Sequence, residues 1–121
     1  MSENKKLRVI VGDENPDWGQ KIKRWFGKDF PNVVVTAHQT QSSFVGAVGR
    51  SDKENTLLVI GIKIRGNSGL ELASFYAKQG YRVVVLGSIK GELLKLKSVP
   101  KDKGMRQLLT SCFLCKFPYA R

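Results

Sequence analysis

Two periodicities alternate along the chain. Runs at 7–11 (LRVIV), 32–37 (NVVVTA), 56–62 (TLLVIGI) and 81–87 (YRVVVLG) have strand length and are rich in Val, Ile and Leu. They are apolar on both faces, which fits strands covered on both sides. Between them apolar residues recur at helical spacing. Trp18, Ile22, Trp25 and Phe26 share one face while Lys21, Arg24 and Lys28 share another. Phe44, Val45 and Val48 repeat the pattern, as do Leu70, Ala73 and Ala77, joined by Leu72, Phe75 and Tyr76. Pro16 suits a first helical turn, and Ser68 with Glu71 has capping-box spacing.

Beyond Gly87, residues 90–97 (KGELLKLK) predict one short amphipathic helix and 98–100 (SVP) a short strand. Residues 102–117 predict a final helix with Leu108, Leu109, Cys112 and Phe113 on its apolar side. Five strands and five helices result. Parallel neighbours need crossover connections, and these are right-handed, so the alternation predicts an α/β fold. The expectation is a flavodoxin-like, doubly wound five-stranded parallel sheet of order 2-1-3-4-5, with a shortened fourth helix. In such sheets the site lies outside the carboxyl ends of the strands, here 12–14, 37–38, Gly61, Gly87 and Lys101.

With 121 residues, 41% hydrophobic and 26% charged, the chain reads as a single domain over 1–121. No stretch is long enough to span a bilayer and no signal-peptide run opens it, so a cytoplasmic location is expected and no membrane partner. Charge changes the picture more. The net charge is +11, and residues 61–121 hold twelve of the 21 basic residues but only three of the 10 acidic ones. Such an excess predicts attraction to something acidic.

Read together, the strand ends resemble the receiver domain of two-component response regulators, over nearly the whole chain. LRVIVGDENP resembles that family's first strand and acidic pair, placing the pair at Asp13 and Glu14. LLVIGIKIRGNSGLEL resembles the third strand, its loop and the Gly-Leu-Glu-Leu start of the third helix. VVVLGS resembles the fourth strand, and VPKD a fifth strand ending in the family lysine, Lys101. FLCKFP also has strand character, which would move that lysine to Lys116. Lys101 is preferred because it leaves 102–117 for a helix that covers the sheet.

The resemblance implies a carboxylate that accepts a phosphoryl group, acidic neighbours that hold Mg²⁺, a lysine that neutralises an oxygen, and a hydroxyl that reports the modification. Gly61 stands at the acceptor position and Gly87 at the hydroxyl position, and neither has a side chain to do the work. A degenerate pseudo-receiver is therefore expected: no enzyme, no catalytic residue, a vestigial phosphorylation site at Gly61, Gly87 and Lys101, and no cofactor. Weak Mg²⁺ binding at Asp13 and Glu14 is the one exception allowed, since two carboxylates begin such a site.

The basic run Lys90, Lys95, Lys97, Lys101, Lys103 and Arg106 lies on the family's usual output elements. Lys90, Lys95, Lys97, Lys103 and Arg106 are read as an interaction surface for an acidic protein partner. Non-specific nucleic-acid binding on residues 90–106 is the alternative, although that run lacks interleaved aromatics. Cys112 and Cys115 form a C-x-x-C late in a helix, where no N-terminal dipole lowers a thiol pKa, and they read as incidental thiols. GIKIRGNSG lacks the Gly-Lys-Ser/Thr ending of a phosphate loop.

Overall fold

The computed structural model describes residues 6–87, 97–99, 101 and 104–120. Strands β1 (Arg8–Gly12), β2 (Val34–His38), β3 (Thr56–Gly61), β6 (Arg82–Leu86) and β7 (Lys97–Val99) form one sheet in the order β2-β1-β3-β6-β7. Every pairing in it is parallel. Because β6 and β7 are its fourth and fifth strands, the order is the expected 2-1-3-4-5. Two further strands, β4 (Lys63–Ile64) and β5 (Asn67–Ser68), make a separate antiparallel ribbon. In the sequence pattern this ribbon reads as loop, because two residues are too few to show a period.

Alternate residues of each central strand feed two different cores. Val9, Val11, Leu57, Val59, Val84 and Leu86 face one side, beneath helices α1 (Pro16–Asp29) and α4 (Met105–Lys116). Ile10, Leu58, Ile60, Val83 and Val85 face the other, beneath α2 (Gln41–Gly49) and α3 (Gly69–Lys78). That is why the strand runs carry no polar alternate: β3 is buried at all six positions. Helix α1 starts where Pro16 predicts, with the Asn15 side chain capping the Asp17 N–H at 2.9 Å.

Three apolar side chains assigned to buried faces are instead exposed: Val45 at 39%, Leu108 at 42% and Phe75 at 53%. Their helices bury narrower stripes than the periodicity suggested, namely Phe44 and Val48 in α2, Leu72, Ala73 and Tyr76 in α3, and Met105, Leu109, Cys112 and Phe113 in α4. Ser68 is the N-cap of α3, but its side chain makes no capping bond, so the predicted box does not close. The Gly69 N–H donates instead to the Ile62 carbonyl at 2.8 Å, folding the ribbon back onto the end of β3.

The predicted fourth helix falls outside the described residues, except that Lys97 opens β7 rather than ending a helix. Among the described residues no helix is long and apolar enough to cross a membrane. Cys112 is buried and Cys115 exposed, and neither forms a disulfide.

Phe113 of α4 is fully buried and touches three other rings, with centroids 5.1 Å from Phe26, 5.0 Å from Phe30 and 5.3 Å from Phe117. This cluster fastens α4 to α1 on one face of the sheet. Phe113→Ala is expected to lower the unfolding free energy by about 3–5 kcal/mol, read as a shifted urea midpoint.

Candidate functional site

The carboxyl ends of β1, β3 and β7 bring Asp13, Gly61 and Lys101 together. Asp13 follows β1 directly, and its N–H donates to the His38 carbonyl at the end of β2, 3.0 Å away. Its carboxylate is only 3% exposed. Oδ1 accepts from the Asn15 N–H at 2.9 Å, while Oδ2 lies 2.7 Å from Lys101 Nζ, an ion pair without an aligned hydrogen bond. A carboxylate buried this far stays ionised cheaply only beside a cation, and removing either partner would strand the other charge. Lys101 is thus the lysine that meets Asp13. Lys116 lies at the far end of α4.

The predicted acidic pair separates. Glu14 is exposed, and its N–H donates to the Lys63 carbonyl at 3.1 Å. Among the described residues no three His, Cys, Asp or Glu side chains converge as metal ligands. Among the described residues Asp13 is the one buried carboxylate of the site, and it already carries an ammonium on its second oxygen. That donor set does not fit Mg²⁺, which wants several oxygens in octahedral array.

The two glycines are closed spaces rather than vacancies. A Cβ on Gly61 would overlap Asp13 Oδ2 and come within 2.7 Å of its Cγ, so the Asp13 carboxylate fills the volume a side chain at 61 would need. Gly87 has φ +119°, a region L side chains rarely adopt, and a Cβ there would lie 2.6 Å from Ile62 Cδ1. Ile62 thus fills the space that a side chain at 87 would need.

Backbone bonds knit the surrounding loops. Arg65 donates to Gln39 at 3.0 Å and accepts from Gln41 at 2.8 Å, tying the ribbon to the β2–α2 connection. His38 is held beside it, with Nδ1 2.7 Å from Ser43 Oγ and Nε2 3.1 Å from Thr36 Oγ1. Burial, with the Arg50 charge adding to it, pushes the His38 pKa below its ordinary 6.5. One residue of the site escaped sequence reasoning. Trp18 of α1 lies against it, its ring centroid 5.5 Å from Lys101 Nζ. Its apolar period pointed only to the core.

Of the basic residues read as an interaction surface, Lys90, Lys95 and Lys103 lie outside the described residues, and Lys97 is placed only as the first residue of β7. Arg106 turns towards α1, its guanidinium 3.0 Å from Asp29 Oδ1 and 3.2 Å from Oδ2. Part of its charge is therefore spent inside the molecule.

No protein-family model matches the sequence, and no curated protein does. Solved structures do. The receiver domain of Francisella response regulator 1452 superposes with a TM-score of 0.75 at 17% identity, covering 94% of this chain and 99% of that one. A two-component response regulator from Clostridium difficile gives 0.74 at 11%, covering 93% and 97%. The BeF3-activated N-terminal receiver domain of Klebsiella pneumoniae RstA gives 0.71 at 17%, covering 90% and 97%. The chain has the CheY-like receiver fold. At these identities the similarity is one of fold.

Gly61→Ala is expected to destabilise the protein through collision with the Asp13 carboxylate, and to do so much less in an Asp13→Ala background. A double-mutant cycle by urea denaturation should return a coupling of about 0.5–3 kcal/mol. A second expectation concerns acid. Because the folded state disfavours His38 protonation, its contribution is fully present above pH 6.5 and lost as pH falls, since the unfolded chain takes the proton first. Urea midpoints between neutral and mildly acidic pH should fall more steeply for the parent chain than for His38→Gln.

Proposed function

We propose that this chain is a receiver-fold signalling module that works by binding another protein and accepts no phosphoryl group on its third strand. The receiver fold supports the signalling half of that reading. The observation that carries the rest is the Asp13 carboxylate held in the space beside Gly61 and paired with Lys101. In this reading the lysine that would neutralise a phosphoryl oxygen neutralises a resident carboxylate instead. Gly87 offers no hydroxyl to couple the pocket to the surface, and Ile62 fills the space one would take. The domain is then a pseudo-receiver with one conformation, a cytoplasmic binding module and not an enzyme.

An acidic protein is the partner this reading favours, because the basic excess of the chain lies in its second half. The surface is residues 90–106, a choice that rests on charge. Arg106 contributes less to it than its sequence position suggested, since Asp29 engages it.

The test is exposure to acetyl phosphate with Mg²⁺, followed by intact-mass measurement and hydroxylamine treatment. The mass is expected to stay unchanged. A hydroxylamine-labile phosphoryl adduct, on Asp13 or any other carboxylate, would overturn the reading.

A further inference from the structure

Helix α1 presents a basic surface of its own, in which aromatic and basic side chains are interleaved. Ile22 and Phe26 spend its apolar face on the core, and Lys21, Lys23, Arg24 and Lys28 are all exposed. Trp18 and Trp25 are half-buried, packed against the core at their inner edges. At 100° per residue, Trp18, Lys21, Trp25 and Lys28 fall on one flank of the helix. The two indoles stand two turns apart, about 10.5 Å, and the two lysines repeat that spacing beside them. The Lys21 ammonium already rests 4.6 Å from the Trp18 centroid, and Lys101 adds a second cation to the same ring. The acids of the helix are Asp17 and Asp29, and Arg106 offsets the latter.

We propose that this flank of α1 is a binding strip for single-stranded nucleic acid, its lysines meeting phosphates and its indoles stacking unpaired bases. Cations alternating with flat aromatic edges are what a single strand requires, whereas a duplex hides its base faces and would use the lysines alone. A membrane surface fits less well. An interfacial helix inserts a free apolar face, and that of α1 is already buried in the core.

The chain contains only two tryptophans, and both stand on this flank, so intrinsic fluorescence reports it selectively. The full chain would be titrated with a short oligothymidine and with the matching oligouridine, at low and at physiological salt. Saturable quenching is expected, weakened by salt. Lys21→Glu with Lys28→Glu should reduce affinity about tenfold or more, with the thermal midpoint little changed. A control pair on other elements, Lys53→Glu with Lys78→Glu, should leave affinity within about twofold. The proposal fails if the oligonucleotide leaves the fluorescence unchanged or if both charge-reversed pairs weaken binding equally. It also fails if polyglutamate or anionic phospholipid vesicles quench as well as the single strand does.

Discussion

A carboxylate removed from water has to meet a cation, and at the carboxyl edge of this sheet Asp13 meets Lys101. The pair joins the end of the first strand to the connection after the last, and Gly61 lies between them at the centre of the sheet. Much else at that edge follows from it. The carboxylate needs the room that a side chain at 61 would take, so the third strand ends in glycine. Lys101 in turn leans over Trp18, which brings the start of α1 against the same edge.

The sheet itself was legible because burial on both faces leaves a strong mark. Leu57 to Ile60 could not be exposed in any arrangement, and the neighbouring runs are nearly as apolar. Helix starts were readable where backbone chemistry fixes them, as at Asn15 and Pro16. The outward limits of the apolar faces were not. Phe75 lies on the same broad stripe as Leu72 and Tyr76, and only the packing of α3 on the sheet decides that it stays in solvent. The ribbon of β4 and β5 depends on bonds to distant loops, such as Arg65 to Gln39, which no local pattern encodes.

At the site, residue types were readable and orientations were not. Asp13, Gly61 and Lys101 could be picked out because strand ends converge in a parallel sheet. That the Asp13 carboxylate would turn into the space beside Gly61, leaving Glu14 outside, depends on a rotamer and on one backbone donor, the Asn15 N–H. Arg106 illustrates the same limit. Its partner Asp29 is 77 positions away, and a charge counted along the chain says nothing about what neutralises it in space.

The glycine at 87 bears on which substitutions this fold admits. Its backbone holds a conformation that suits glycine, and the neighbouring Ile62 fills the space beside it. A single replacement by serine or threonine would meet both obstacles at once, so admitting a hydroxyl there needs at least two coordinated changes, with a less stable protein between them. Backbone and neighbour thus latch this position on glycine, each obstacle holding even where the other is relieved.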